Sequence, residues 1–276
     1  MVDGAALIAT VRRRLRERGL TAVAVAYSGG VDSRFLCHTL LRAGLDVLAL
    51  HARGVHVPEA ETLRARRWAR DAGLPLEEAS FRPLDVPGVR DNGPRRCYFC
   101  KAALMGRLRE LLARRVAAGD PARLLCDGTN AGDRALYRPG LQALKEAGVF
   151  SPLAEAGFAK EDVRAVGAAT GLDDPQQRAR PCLLTRFAYG VMPSEESVRR
   201  LAGAEQALEA LTDRDGRPLL GDFRLRLTPD PILQAQHLPA GCLPLLDAIM
   251  ARCGFASWKY REEAAISGFY DREDAP

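Results

Sequence analysis

Residues 20–33, LTAVAVAYSGGVDS, constrain this chain more than any other stretch. The apolar run has no polar alternation, so it reads as a strand buried on both faces. It passes through serine and two glycines directly into VDSRFLCHTLLRAG (31–44), where apolar residues fall at helical spacing and a glycine ends the run. A strand covered on both sides that turns at once into a helix demands a parallel sheet layered between helices. The rest of the N-terminal part repeats this alternation. LDVLAL (45–50) is strand-like, and PEAETLRARRWARDAG (58–73) opens with proline and closes with glycine as helices prefer. LPLEEASF (74–81) supplies a third strand, residues 98–119 a long amphipathic helix, RLLCDGTN (123–130) a fourth strand with its exit loop, and VFSPL (149–153) a short fifth. The expected fold class is therefore α/β, a doubly wound parallel sheet whose ligands sit at the carboxyl ends of the strands.

After KEDVRAVGAATGL (160–172) comes the polar stretch DDPQQRARP (173–181), expected to be a mobile loop. The pattern then changes to helix (194–211), strand DFRLRLT (222–228), helix (240–253) and strand FASWKY (255–260). These place a boundary within 186–193, dividing a domain of residues 1–188 from a small C-terminal α+β domain of residues 189–276.

Composition narrows the class of function. No run approaches the roughly 20 apolar residues that span a bilayer. The basic cluster of MVDGAALIATVRRRLRERG comes after its apolar stretch instead of before it, unlike a signal peptide, so a cytoplasmic protein is expected. The net charge of +5 comes almost wholly from arginine interspersed with glutamate and alanine, with lysine only at 101, 145, 160 and 259. Arg64, Arg66, Arg67 and Arg70 fall on one helix and read as a solvated face, not as a nucleic-acid stripe. Seven cysteines in a cytosolic chain favour metal or redox chemistry over a disulfide framework.

Ser28, Gly29, Gly30, Val31, Asp32 and Ser33 form the strand-to-helix junction. Two glycines allow a tight turn with outward N–H groups, the helix N-terminus adds partial positive charge, and two hydroxyls add donors, so an anion is favoured there. Asp32 is the odd member: a carboxylate beside phosphate repels it unless it holds Mg²⁺ or orients a ligand hydroxyl. The arrangement is neither the lysine-bearing P-loop nor the G-x-G-x-x-G dinucleotide turn. In DGTN (127–130), Gly128 permits close approach, and Asp127 and Thr129 offer polar contacts to the same crevice.

CYFCK (97–101) places two thiols three positions apart, where they can share a metal ion, a cluster or a disulfide, or simply be buried. Cys37 and Cys126 lie on apolar faces of a helix and a strand, Cys242 and Cys253 near the last helix, and all four read as core fillers. His51 and His56 come after the second strand near where a base would lie; His38 and His237 read as structural. Lys101, Arg138 and Arg186 are cations beside the expected site loops, able to hold phosphate or carboxylate.

SGGVDS at this position resembles the PP-loop of the N-type ATP pyrophosphatases, whose fold is adenine nucleotide alpha hydrolase-like. The resemblance implies ATP bound on the loop and AMP transferred to a substrate oxygen. It implies an ATP-binding set of Ser28, Gly29, Gly30, Val31, Asp32, Ser33, Leu50, Gly128 and Thr129, with Mg²⁺. DNGPRRCYFCK (91–101), DGTNAGDRALYRPGLQALKEAGVFSPLAEAGFAKEDVR (127–164) and PCLLTRFAYG (181–190) narrow it further. Together with the loop they resemble the ATP-dependent sacrificial sulfur transferase family, LarE, over roughly residues 20–190. The resemblance implies conversion of a carboxylate of pyridinium-3,5-biscarboxylic acid mononucleotide to a thiocarboxylate, in nickel-pincer nucleotide biosynthesis. Asp32 and Cys182 then stand as catalytic residues. The family's members either sacrifice the sulfur of the cysteine matching Cys182 or hold a [4Fe–4S] cluster on three cysteines. Cys97, Cys100 and Cys182 match the second kind, with a sulfide or other sulfur donor as partner.

In the C-terminal part, Arg224 and Arg226 in FRLRL resemble the family's arginine pair and Glu205 its helix glutamate. With Arg186 they are expected to hold the phosphate or carboxylate of the nucleotide substrate, in a homo-oligomer. TPDPILQAQHLPAG and the ending KYREEAAISGFYD depart from the family pattern. A cluster-dependent tRNA thiolase is the other enzyme that pairs SGGxDS with C-x-x-C and a distant cysteine. It calls for a basic face or RNA module, which the mixed charges here do not supply.

Overall fold

β1 (Ala22–Ala26) lies in the middle of the molecule's larger sheet because its side chains find apolar partners on both sides. In this computed structural model, Val23 and Val25 point into one hydrophobic cluster and Ala24 into another. The structure describes residues 3–135, 139–228, 230–239, 241–263 and 266. The chain divides into two compact units, Met1–Val86 with Arg95–Arg180, and Pro87–Pro94 with Pro181–Pro276.

The first unit begins with α1 (Gly4–Arg18), a helix that the sequence pattern did not announce. Asp3 caps it by accepting from the Ala6 N–H at 2.9 Å, and Gly19 ends it in the left-handed region at φ +62°. Leu7, Val11 and Leu15 recur every four residues and are buried. After β1 come α2 (Val31–Arg42), β2 (Asp46–Arg53), α3 (Glu59–Asp71) and β3 (Leu76–Ser80). A short α4 (Pro87–Arg90) belongs to the other unit. The chain continues through α5 (Arg96–Ala117), β4 (Arg123–Cys126), α6 (Pro139–Glu146), α7 (Pro152–Glu155) and α8 (Lys160–Ala169).

The sheet is parallel throughout, in the order β3-β2-β1-β4. Each central strand alternates between the same two clusters. Val47 and Ala49 of β2 and Leu124 and Cys126 of β4 join residues of α1, α2 and α3, whereas Leu48, Leu50 and Leu125 join Met105 and Leu108 of α5 and Leu144 of α6. The doubly wound parallel sheet expected from the sequence is therefore present. The strand order reverses between β1 and β4, so the crevice beyond their carboxyl ends is the switch point of the fold.

The expected fifth strand is reduced to one parallel bridge, Cys126 with Phe150. Pro152 opens α7 two residues later, and its missing N–H stops any longer ladder. Residues 173–177, expected to be mobile, are instead pinned by hydrogen bonds from Arg34.

The second unit carries α9 (Glu195–Glu209), β5 (Phe223–Arg226), β6 (Ile232–Ala235), α10 (Leu243–Arg252) and β7 (Lys259–Glu262). Its sheet is mixed, β5 antiparallel to β6 and β6 parallel to β7. β6 falls inside the proline-rich stretch that gave no strand signal, and the last strand begins four residues later than expected. Asn92, fully buried at φ +50°, ties Pro87–Pro94 into this unit: its side-chain amide donates to the carbonyls of Ala188 (2.6 Å) and Val191 (2.7 Å). Among the described residues no helix is long and apolar enough to cross a membrane.

Candidate functional site

The turn after β1 is shaped by a close approach. Gly29 has φ +79°, and a Cβ there would lie 2.7 Å from the Ala65 Cβ of α3, so only glycine fits. Ser28 Oγ stands 3.2 Å from Ser33 Oγ, and Ser33 Oγ donates to the Gly30 carbonyl at 3.0 Å. Gly30 begins α2 without a capping side chain, which leaves the first N–H groups of the helix to a ligand.

The loop after β4 packs onto this turn. A Cβ on Gly128 would lie 2.9 Å from the Ser33 backbone nitrogen, so the two segments meet backbone to backbone. Asp127 is buried and accepts from the Thr129 N–H (3.3 Å) and hydroxyl (2.5 Å), which fixes the DGTN turn. SGGVDS and DGTN thus form the two walls of the switch-point crevice. Leu50 is fully buried in the core below, and its carbonyl accepts from the Tyr27 N–H at 2.9 Å.

Lys160 of this crevice escaped the sequence reading, and Asn130 was read only as part of DGTN, without a role of its own. Lys160 Nζ lies 2.5 Å from Asp32 Oδ2, and Asn130 Nδ2 lies 3.5 Å from Asp32 Oδ1. A signal for Lys160 existed: it is one of four lysines in a chain of arginines, placed in the first turn of a helix, where the dipole disfavours a cation. His51 is buried and bonded on both ring nitrogens, to the Tyr27 carbonyl (2.9 Å) and Thr62 Oγ1 (3.1 Å). Burial lowers its pKa, and burial lowers that of His56 further, to about 4. His38 contacts the Thr170 carbonyl and hydroxyl at 3.2 Å, and His237 is exposed.

Of the seven cysteines none forms a disulfide. Cys37 and Cys126 are completely buried and burial drives both thiols up, consistent with packing. Cys242 is also buried, and Cys253 partly so. Cys97 and Cys100 sit one turn apart at the start of α5, on one side of the helix, and both are partly exposed. Cys182 is partly exposed too and precedes the short 3₁₀ turn Leu183–Arg186. Among the described residues no three His, Cys, Asp or Glu side chains are gathered as a ready ligand set. Lys101, on α5, is exposed; Arg138 lies outside the described residues.

In the second unit, Arg186 is buried and gives a two-pronged pair to Glu205, Nε to Oε1 at 2.9 Å and Nη2 to Oε2 at 3.0 Å. Its remaining nitrogen reaches the Pro181 carbonyl (3.1 Å), Thr185 Oγ1 (3.0 Å) and the Cys182 carbonyl (3.4 Å). Glu205 Oε1 also accepts from the Leu225 N–H at 2.9 Å. Arg226 is equally buried and donates to Gln234 Oε1, the Thr185 carbonyl and the Ile266 carbonyl. Arg224, on the same strand, is only partly buried. The structure therefore brings Arg186, Glu205 and Arg226 together around the turn just after Cys182. The arginines of α3 are spent on carboxylates, Arg66 on Glu78, Arg64 on Glu61 and Arg70 on Asp71, while Arg67 is exposed.

No family model matches the chain. Curated relatives do. An uncharacterized protein of Synechocystis sp. is 35% identical over 188 residues, 68% of this chain and 68% of that protein. An uncharacterized protein of Methanocaldococcus jannaschii is 28% identical over 186 residues, 67% of this chain and 69% of its own length. The pyridinium-3,5-bisthiocarboxylic acid mononucleotide synthase of Lactiplantibacillus plantarum is 31% identical over 200 residues, 70% of this chain and 69% of that enzyme. At that identity and coverage, with the loop motifs meeting at the switch point, the chain belongs to the pyridinium-3,5-bisthiocarboxylic acid mononucleotide synthase family, LarE.

Proposed function

We propose that the chain is an ATP-dependent sulfur transferase that converts a carboxylate of pyridinium-3,5-biscarboxylic acid mononucleotide to a thiocarboxylate in nickel-pincer cofactor biosynthesis. The observation that carries the reading is the crevice at the switch point, where SGGVDS and DGTN meet backbone to backbone beside a carboxylate and a lysine. A substrate carboxylate oxygen attacks the α-phosphorus of ATP there, and pyrophosphate leaves with its charge held by the loop N–H groups, Ser28, Ser33 and Lys160. Asp32 would supply a carboxylate oxygen to Mg²⁺ bound with the triphosphate, where the ion would neutralise phosphate charge. A sulfur nucleophile then attacks the activated acyl carbon, and AMP departs with the oxygen.

The donor chemistry fits a [4Fe–4S] cluster. Cys97, Cys100 and Cys182 are the three cysteines of the family motifs, all partly exposed, whereas the fully buried thiols lie elsewhere. These three cysteines would hold the cluster, which when bound would supply an iron able to take sulfide. Arg224 serves the phosphate or carboxylate of the substrate, and the buried network of Arg186, Glu205 and Arg226 supports the strand that carries it.

The test is to incubate anaerobically reconstituted protein with ATP, Mg²⁺, sulfide and the biscarboxylic acid mononucleotide. Pyrophosphate and AMP are expected together with a product that has exchanged oxygen for sulfur. Pyrophosphate release that does not depend on the pyridinium substrate would remove the substrate assignment.

A further inference from the structure

Arg34 comes one residue after the phosphate loop, yet its side chain takes no part in that loop. Its buried guanidinium, 4% exposed, gives four hydrogen bonds to the polar stretch after α8. Nη1 donates to the Asp173 carbonyl at 2.6 Å and Nη2 to the Asp174 carbonyl at 2.9 Å; Nε and Nη2 both reach Gln177 Oε1, at 3.1 and 2.7 Å. Gln177 is itself buried, and Trp68 lies beside the guanidinium, which stands 5.8 Å from its ring centroid. Asp174 adopts φ +43°, a left-handed conformation that aspartate tolerates better than most residues. Three residues beyond Gln177, Arg180 pairs with the nearly buried Glu61 of α3 at 3.0 Å. A buried cation spent wholly on two carbonyls and one amide is an expensive way to tie down a surface loop. The tied stretch leads directly to Cys182, whose own carbonyl accepts from Thr185 N–H (3.0 Å) and Thr185 Oγ1 (2.7 Å). Only Pro181 separates the two anchored stretches.

We propose that Arg34, Gln177 and the Glu61–Arg180 pair are positioning residues for the chemistry of Cys182. Arg34 and Gln177 tie the segment leading to this thiol to the first turn of α2, which presents the phosphate loop, and the Glu61–Arg180 pair ties it to α3. Loosening the strap frees the chain that leads to Cys182, and sulfur delivery suffers while activation at the loop continues. The inference depends on the sulfur-transfer reading only for naming the step that suffers.

Two readouts test it on the full-length, reduced chain. The first is the rate at which iodoacetamide alkylates Cys182, with Cys97 and Cys100 as internal references. Removing the acceptor of a buried cation raises local opening about tenfold, so Gln177→Ala is expected to speed alkylation of Cys182 about tenfold and Glu61→Ala, which removes the carboxylate paired with Arg180, to speed it in the same direction, with the reference thiols unchanged. The second is the ratio of thiocarboxylate formed to pyrophosphate released. It should fall in both variants while pyrophosphate release persists, and Gln177→Glu, which keeps an acceptor for Arg34, should restore it. Unchanged alkylation of Cys182 in both variants, or an equal rise at all three cysteines, overturns the proposal. A wild-type chain that releases no pyrophosphate would instead sink the adenylation reading, and the alkylation rates would still decide the strap.

Discussion

Lys160 and Asp32 are 128 positions apart in sequence and 2.5 Å apart in space. The lysine is the first residue of α8 and the aspartate lies in the first turn of α2, so one helix start offers a cation and the other an anion. The aspartate suits its helix dipole and the lysine opposes its own, so the pair offsets a local cost.

Breaking this pair should disable activation without unfolding the chain. Lys160→Met and Asp32→Asn are each expected to slow pyrophosphate release by about 10²–10³-fold, the usual effect of removing one charged group that faces the transition state. Because the two act as a unit, the double variant should be little worse than the poorer single one. Steady-state pyrophosphate assays on the three proteins check this; fully additive losses would show that the residues act separately.

Gly128→Ala is expected to abolish nucleotide binding more thoroughly than it lowers stability. Its Cβ has only the Ser33 backbone to move against, so the DGTN wall must shift away from the loop. Gly44→Ala is the useful contrast: Gly44 has positive φ, but nothing lies within 4 Å of the added carbon. Calorimetric titration with ATP and thermal melts of both variants distinguish a lost site from ordinary backbone strain.

The strands were legible because burial on both faces leaves unmistakable apolar runs, and SGGVDS was legible because glycine, hydroxyl and carboxylate at a strand-to-helix turn have few other uses. The rest was hidden for identifiable reasons. α1 is an amphipathic helix whose arginines drew attention to its charge instead of its every-fourth-residue core positions. β6 sits among prolines that mask its four-residue run. Lys160 and Arg34 owe their places to partners more than a hundred positions away, which no local pattern reports.

The thiols should separate by chemistry. Cys97→Ala and Cys100→Ala are expected to lose most of the iron bound after anaerobic reconstitution, and Cys182→Ala to weaken its retention. Cys37→Ala should retain the wild-type iron content, since its thiol is fully buried and held protonated. Iron and acid-labile sulfide analyses provide the comparison, and equal iron in all four variants would sink the three-cysteine assignment.

Acid should weaken the first unit through His56. This histidine is 6% exposed, its Nδ1 has no hydrogen-bond partner, and burial lowers its pKa to about 4. A depressed histidine pKa means that the unfolded chain binds the proton more readily, so its contribution is intact above about pH 6.5 and is lost as pH falls toward 4. The span corresponds to about 3 kcal/mol. Urea titrations from pH 7 to 4.5 should show a smaller decline for His56→Phe than for wild type, and parallel declines would refute the assignment.

Glu205→Ala should be costly for the second unit. It strands the Arg186 guanidinium, 3% exposed, without its two-pronged carboxylate and removes the acceptor of the Leu225 N–H. Loss of one partner of such a buried pair costs about 3–5 kcal/mol. Chemical denaturation reads it directly, and a loss below about 1 kcal/mol would show that water replaces the carboxylate.

The loop Pro87–Pro94 has a further consequence, for severing and recombining this protein. Because that loop belongs with residues 181–276, the polypeptide passes between its two compact units three times, after Val86, after Pro94 and after Arg180. A stop after Arg180 would not yield an independent first unit. It would leave the Asn92 amide without the two carbonyls that hold it and an eight-residue fragment of the lost unit dangling between β3 and α5. Shuffling among relatives by exchange at a single crossover therefore breeds chimaeras with a mismatched graft, and inheritance of the C-terminal unit is intact only when both of its segments travel together.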